Sequence, residues 1–189
     1  MIFKLAIKRV GLWLRTIRAP FLTATLAPVL IGSSVAYNDL RDVGLSGEWS
    51  VRLFWIVLGG ACLAQIATNA SNDYFDHTSS ADEMNKVASP FNGGSRVIQV
   101  GLMTAGQVLM TALLAIGGTI FVGLYLNKEI SGQFFGNTPI LWTGVIGTFL
   151  ALGYTGDPIR LGYKGLGEFA IALGFGRIMV LGSHYVLTY

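Results

Sequence analysis

A chain of 189 residues that is 52% hydrophobic and only 12% charged, with mean hydropathy +0.59, departs from a soluble domain, in which about 25% of residues are charged. The net charge of +3 comes from a modest excess of Lys and Arg with no basic tract interleaved with aromatics, which argues against nucleic acid as a partner and for membrane topology. A single cysteine, Cys62, lies in an apolar run, so an intrachain disulfide scaffold is excluded and a buried thiol is expected.

In chain order, residues 1–20 set Lys4, Lys8, Arg9, Arg15 and Arg18 among Phe3, Leu5, Ile7, Val10, Leu12 and Trp13, an amphipathic basic segment expected at the membrane interface. No long apolar run with a small-residue cleavage site follows closely enough to make it a signal peptide. Pro20 ends it, because the residue before a proline is pushed out of helical geometry. A first span is predicted over about residues 21–37 with a kink at Pro28, then a polar connection over 38–52, then a second span over 53–70. Residues 71–101 lack a long apolar run and read as a loop long enough to be functional. A third span is expected over 102–126, a short polar connection over 127–138, a fourth span over 140–154, a second polar loop over 155–167 and a fifth span from 169 onward. Residues 1–189 thus read as one membrane domain, an all-α polytopic helix bundle of about five spans.

The stretch Asn69 to Asp76 carries most of the chemistry. Read as a helix, Asn69, Asn72, Asp73 and Asp76 fall at i, i+3, i+4 and i+7 and project from one face, with Asp82 and Glu83 following. Carboxylates beside apolar sequence repel one another and are costly to desolvate unless cations sit among them, which points to metal. Oxygen ligands of this kind suit Mg²⁺, which keeps several waters and is commonly completed by substrate phosphates. Asp82 and Glu83 are also readable as ordinary solvated loop charges, and His77 as an exposed histidine at the helix end. The loop Phe91-Asn92-Gly93-Gly94-Ser95-Arg96 could bring backbone N–H groups and a guanidinium to an anion, although Gly-Gly alone usually marks a turn.

Counting basic residues in alternate connections gives nine on the amino-terminal side against three, Arg41, Arg52 and Lys128, on the other. By the positive-inside rule the amino terminus and both motif loops are cytoplasmic and share a side where one site could form. A diphosphate held there would leave its hydrophobic tail among the spans.

The run NDYFD with Asp82 beyond it, the loop GGSRVIQ and the stretch YTGDPIRLGYKGLGE together resemble the UbiA superfamily of intramembrane prenyltransferases, and within it the 1,4-dihydroxy-2-naphthoate polyprenyltransferases of menaquinone synthesis. The resemblance implies a helix bundle around a central cavity in a bacterial or archaeal cytoplasmic membrane, of which this chain would form the amino-terminal part, about five of nine spans. It implies Mg²⁺ held by Asp73, Asp76, Asp82 and Glu168. Asp73, Asp76 and Glu168 would serve catalysis, and Asn69, Asn72, Arg96, Tyr154 and Lys164 would contact substrate. The implied reaction transfers a polyprenyl group from its diphosphate to an aromatic acceptor in the lipid bilayer. The alternative is a shortened relative that binds an isoprenoid or quinone, or serves in a homo-oligomer or larger membrane complex, without turnover.

Overall fold

The computed structural model describes residues 10–79 and 94–189, among which there is no strand. Five helices build it: α1 Leu22–Asp42, α2 Val51–Thr78, α3 Ala105–Ser131, α4 Pro139–Gly153 and α5 Gly167–Thr188. Three of the starts have a local cause in a capping side chain. Ser50 caps α2 by accepting from the Leu53 N–H, and Thr138 caps α4 by accepting from Leu141, with Pro139 in the first turn where no N–H is needed. Thr104 and Gln107 close a reciprocal capping box on α3, which ends at Gly132 in left-handed geometry with φ 74°.

The helices run further than apolar composition predicts. α1 continues through Asp42, α3 through Ser131, and α2 through Thr78, so residues 71–78 are helical, as the one-face reading of Asn69 to Asp76 requires, and the loop boundary drawn at residue 71 from composition falls about two turns too early. Backbone hydrogen bonding continues until a terminator such as Gly132 intervenes, whether or not the side chains are apolar. Pro28 lies within α1, whose helix runs on without interruption. Four of the five helices are long and apolar enough to cross a membrane, and this is an integral membrane bundle. The exception is α4, whose 15 residues span only about 22 Å against a hydrocarbon core of about 30 Å.

Small residues let the helices approach. Val122 of α3 lies over Gly60 of α2, and Leu63 of α2 lies over Gly118 of α3, so each helix seats a branched side chain in the other's glycine notch. α1 lies along the carboxyl half of α5, where Gly32 faces the Ser183 hydroxyl and the Val180 carbonyl. His184 of α5 meets Asp39 of α1 at 2.7 Å, the interhelical partner its polar ring needs. Val29, Val57, Leu126, Ile130 and Val186 form the buried apolar cluster at this end of the bundle. The α3–α4 connection is gathered by Asn127, fully buried, whose amide donates to the carbonyls of Gln133, Phe134 and Gly136 and accepts from Thr138. Within α5, Ala172–Ile178 forms a π-helical turn that carries Arg177, an exposed residue.

A Cβ at Gly32 would fall inside the van der Waals shells of Ser183 and Val180, whereas one at Gly117 would meet nothing within 4 Å. Gly32→Val is therefore expected to destabilise the bundle by about 1–3 kcal/mol. Denaturant unfolding in detergent checks it, with Gly117→Val, expected to be near neutral, as the control.

Candidate functional site

The last two turns of α2 carry a buried carboxylate. Asp73 is only 3% exposed and forms an ion pair with Arg18, while the Ser95 N–H reaches its two carboxylate oxygens at 3.2 and 3.3 Å. The segment before α1 is fastened to the same place by three further bonds. Arg15 Nε donates to the Ser95 carbonyl at 3.0 Å, Thr16 Oγ1 lies 2.9 Å from Met103 Sδ, and the Asn69 amide donates to the Ile17 carbonyl at 3.2 Å. Residues 10–16 are helical, with Val10, Trp13 and Leu14 exposed on one side and Thr16 fully buried on the other.

The same helical face reaches the loop between α4 and α5. Thr155 Oγ1 donates to Asn72 Oδ1 at 2.7 Å, and Tyr163 donates to Asp76 Oδ1 at 2.5 Å. Phe75 packs where a Cβ on Gly156 would otherwise lie, and Tyr74 packs with Ala70, Val97 and Met103, so both aromatics are core. The two motif regions expected to share a site are thus joined by direct hydrogen bonds.

The remaining expected residues divide. Asn69, Asn72, Asp73 and Asp76 share the α2 face as the spacing predicts, and Arg96 follows Ser95 directly. Tyr154 lies at the end of α4, its ring against Gly162 and Gly167. Lys164 Nζ instead donates to the Pro158 carbonyl at 3.2 Å, and Glu168 is exposed in the first turn of α5. Asp82 lies outside the described residues, among which no three His, Cys, Asp or Glu side chains come together as a metal site. The argument from carboxylates to metal is also partly answered within the protein, because Arg18 supplies the cation for Asp73.

Arg18, Thr155 and Tyr163 were not anticipated as site residues, whereas Ser95 lies in the loop expected to bring a backbone N–H to an anion, and its N–H meets the Asp73 carboxylate. A signal for Arg18 was available: a carboxylate buried in an apolar helix needs a cation, and Arg18 is the last cation before Pro20 and the first span. The hydroxyls had no signal in residue type or spacing, because only the tertiary fold brings them to α2. Three non-glycine residues have positive φ among the described residues, and all are arginines of this region: Arg18 at 51°, Arg96 at 55° and Arg160 at 47°.

Directly beyond this polar end lies a cavity of about 260 Å³ lined by α2, α3, α4 and α5. Its wall is mostly small and apolar. Gly123, Gly144 and Gly174 line it at positions where an added Cβ would meet nothing within 4 Å. The arrangement therefore sets carboxylates and cations over an apolar chamber, which suits a ligand with an anionic head and a hydrocarbon tail.

The chain is 31% identical to the 2-carboxy-1,4-naphthoquinone phytyltransferase of Synechocystis over 92% of its own length and 50% of that protein's. It is 28% identical to the 1,4-dihydroxy-2-naphthoate octaprenyltransferase of Haemophilus influenzae over 98% of its length and 57% of that protein's. It is 30% identical to UbiA prenyltransferase domain-containing protein 1 of Dictyostelium discoideum over 96% of its length and 51% of that protein's. The chain spans about half the length of the curated relatives it matches. No solved structure gives a significant match. The profile of the UbiA prenyltransferase family matches residues 25–188, which takes in both motif regions and all five helices but the first turn of α1, and the chain belongs to that family.

Proposed function

We propose that this chain takes part in transferring a polyprenyl group from its diphosphate to an aromatic acceptor of the dihydroxynaphthoate class, in quinone biosynthesis. The observation that carries the reading is the joining of the α2 acidic end to the α4–α5 loop, through Asn72–Thr155 and Asp76–Tyr163, over an apolar chamber. Relatives named for naphthoate prenyl transfer support the substrate class.

Mg²⁺ fits the donor set. Asp73 and Asp76 stand one turn apart on one face, and one or two carboxylates with substrate phosphates suffice for this ion. These two would hold it, with Asp82 and Glu168 as further ligands, and when bound it would neutralise charge on the departing diphosphate. The protein's own groups do the rest. Arg96 and Lys164 would take phosphate oxygens, since guanidinium and ammonium donors stabilise negative charge where it develops. Arg18 pairs with Asp73 and fixes its orientation. Tyr163, bonded to Asp76 Oδ1, leaves Oδ2 of that carboxylate for the ligand side. The allylic C1–O bond then ionises, diphosphate leaves with the bonding pair, and a ring carbon of the acceptor bonds to C1, after which that carbon loses its proton, or its carboxylate as CO₂, and the ring regains its aromaticity. The basic-residue bias assigns the amino terminus and both motif regions to the cytoplasmic side.

A second reading, an isoprenoid- or quinone-binding relative without turnover, has one observation in its favour: Glu168 stands apart from Asp73 and Asp76. Incubating the purified chain in detergent with Mg²⁺, geranylgeranyl diphosphate and dihydroxynaphthoate separates the two. Prenylated product by mass supports the first, and diphosphate binding without product the second.

Asp76→Asn keeps an oxygen for Tyr163 and removes the charge, so it is expected to abolish Mg²⁺-dependent diphosphate binding while leaving the thermal transition near wild type. Isothermal titration with geranylgeranyl diphosphate checks this, and retained metal-dependent affinity would sink the assignment. Gly144→Val, which fills chamber space without touching protein, is expected to weaken binding of long-tailed prenyl diphosphates more than that of dimethylallyl diphosphate. Equal loss for both would show that the tail lies elsewhere.

A further inference from the structure

The chamber wall holds an amide oxygen that no protein donor meets among the described residues and that can only accept. Gln65 lies on the α2 face that carries Asn69 and Asp73, one turn below Asn69, and is buried in the chamber wall. Its amide orientation is fixed by a chain of bonds. The Ile17 carbonyl can only accept, so Asn69 presents its NH₂ there at 3.2 Å, and the Asn69 oxygen must then receive the Gln65 N–H at 3.1 Å. Gln65 Oε1 is left on the chamber side, and no donor reaches it among the described residues.

The other polar groups of the wall do not share this demand. The hydroxyls of Thr68, Thr119, Thr143 and Ser183 donate to carbonyls one turn back on their own helices. The hydroxyls of Thr148 and Tyr154 both donate and accept, so neither requires a donor from a ligand. An amide oxygen accepts only, and among apolar walls a hydrogen bond to it counts for more than in bulk water. Of the reactants proposed above, the prenyl tail has no donor and the ionised diphosphate has none. A hydroxylated aromatic ring has its phenolic O–H.

On that reading of the reaction, we propose that Gln65 Oε1 accepts the phenolic O–H of the aromatic acceptor, making Gln65 a specificity-determining contact that admits a hydroxylated ring and disfavours its ether. Gln65 stands eight residues from Asp73 along α2, about 12 Å at 1.5 Å per residue. A ring held at Gln65 thus lies below the carboxylates, on the chamber side of the diphosphate head.

The test is equilibrium binding of dihydroxynaphthoate and of its two monomethyl ethers to the detergent-purified chain, wild type, Gln65→Met and Gln65→Glu. Wild type is expected to bind one ether about tenfold more weakly than the parent. Gln65→Met is expected to lose the same factor for the parent and nothing further for that ether, the non-additivity that marks a direct contact. Gln65→Glu keeps an accepting oxygen but loses the N–H to Asn69, and is expected to retain affinity for the parent. Unchanged affinity in Gln65→Met, additive losses, or an equal loss in Gln65→Glu, which would trace the effect to Asn69, would each overturn the assignment. Geranylgeranyl diphosphate binding with Mg²⁺, measured alongside, keeps the two readings apart. If it persists in wild type and Gln65→Met while acceptor affinity does not respond to Gln65, only this inference fails. If wild type itself binds no diphosphate, the prenyl-transfer reading fails and this one with it.

Discussion

Burying the Asp73 carboxylate at the end of an apolar helix is the constraint on which the polar end of the bundle depends. A carboxylate taken from water into such a place costs several kcal/mol unless it is paired and its remaining lone pairs are met. Arg18 supplies the charge and the Ser95 N–H supplies the hydrogen bond. Each of these comes from a different part of the chain, so satisfying one side chain fixes the approach to α1 and the segment leading into α3 relative to α2. Arg15 then ties those two segments to each other through the Ser95 carbonyl.

The other edge of the same helical face is fixed by neutral donors. Thr155 and Tyr163 hold Asn72 and Asp76 without adding charge. One edge is therefore charge-paired, while the other keeps a carboxylate whose second oxygen meets no donor among the described residues. Below both, glycine and alanine on four helices leave space that bulkier side chains would have filled. Close α2–α3 contact and an open chamber are two uses of the same residue type. Gly60 and Gly118 meet a neighbour's side chain, whereas Gly123 and Gly144 face emptiness.

The helical class, the five apolar segments and the shared face of Asn69, Asn72, Asp73 and Asp76 were legible because they rest on local composition and on a period of 3.6 residues. Helix ends were less so, since Asp42, Thr78 and Ser131 extend helices beyond their apolar portions and only a terminator such as Gly132 stops them. The partners of the acidic face were largely illegible. Arg18 looked like one more interfacial cation, and Tyr163 and Thr155 like ordinary loop residues. Sequence separations of 55 for Arg18–Asp73, 83 for Asn72–Thr155 and 87 for Asp76–Tyr163 leave no periodic trace. The same gap explains why charge repulsion was assigned to metal alone when an arginine already meets part of it.

Arg18, Arg96 and Arg160 hold left-handed backbone that glycine adopts freely and asparagine tolerates. For a branching side chain each such position costs about 1–3 kcal/mol, a sum comparable with a sizeable part of a domain's whole stability. At Arg18 that cost is outweighed, because losing the guanidinium would leave Asp73 buried and unpaired. At Arg96 and Arg160 a library selected only for surviving heat would drift toward glycine or asparagine, shedding two guanidinium groups from the polar end as it did so.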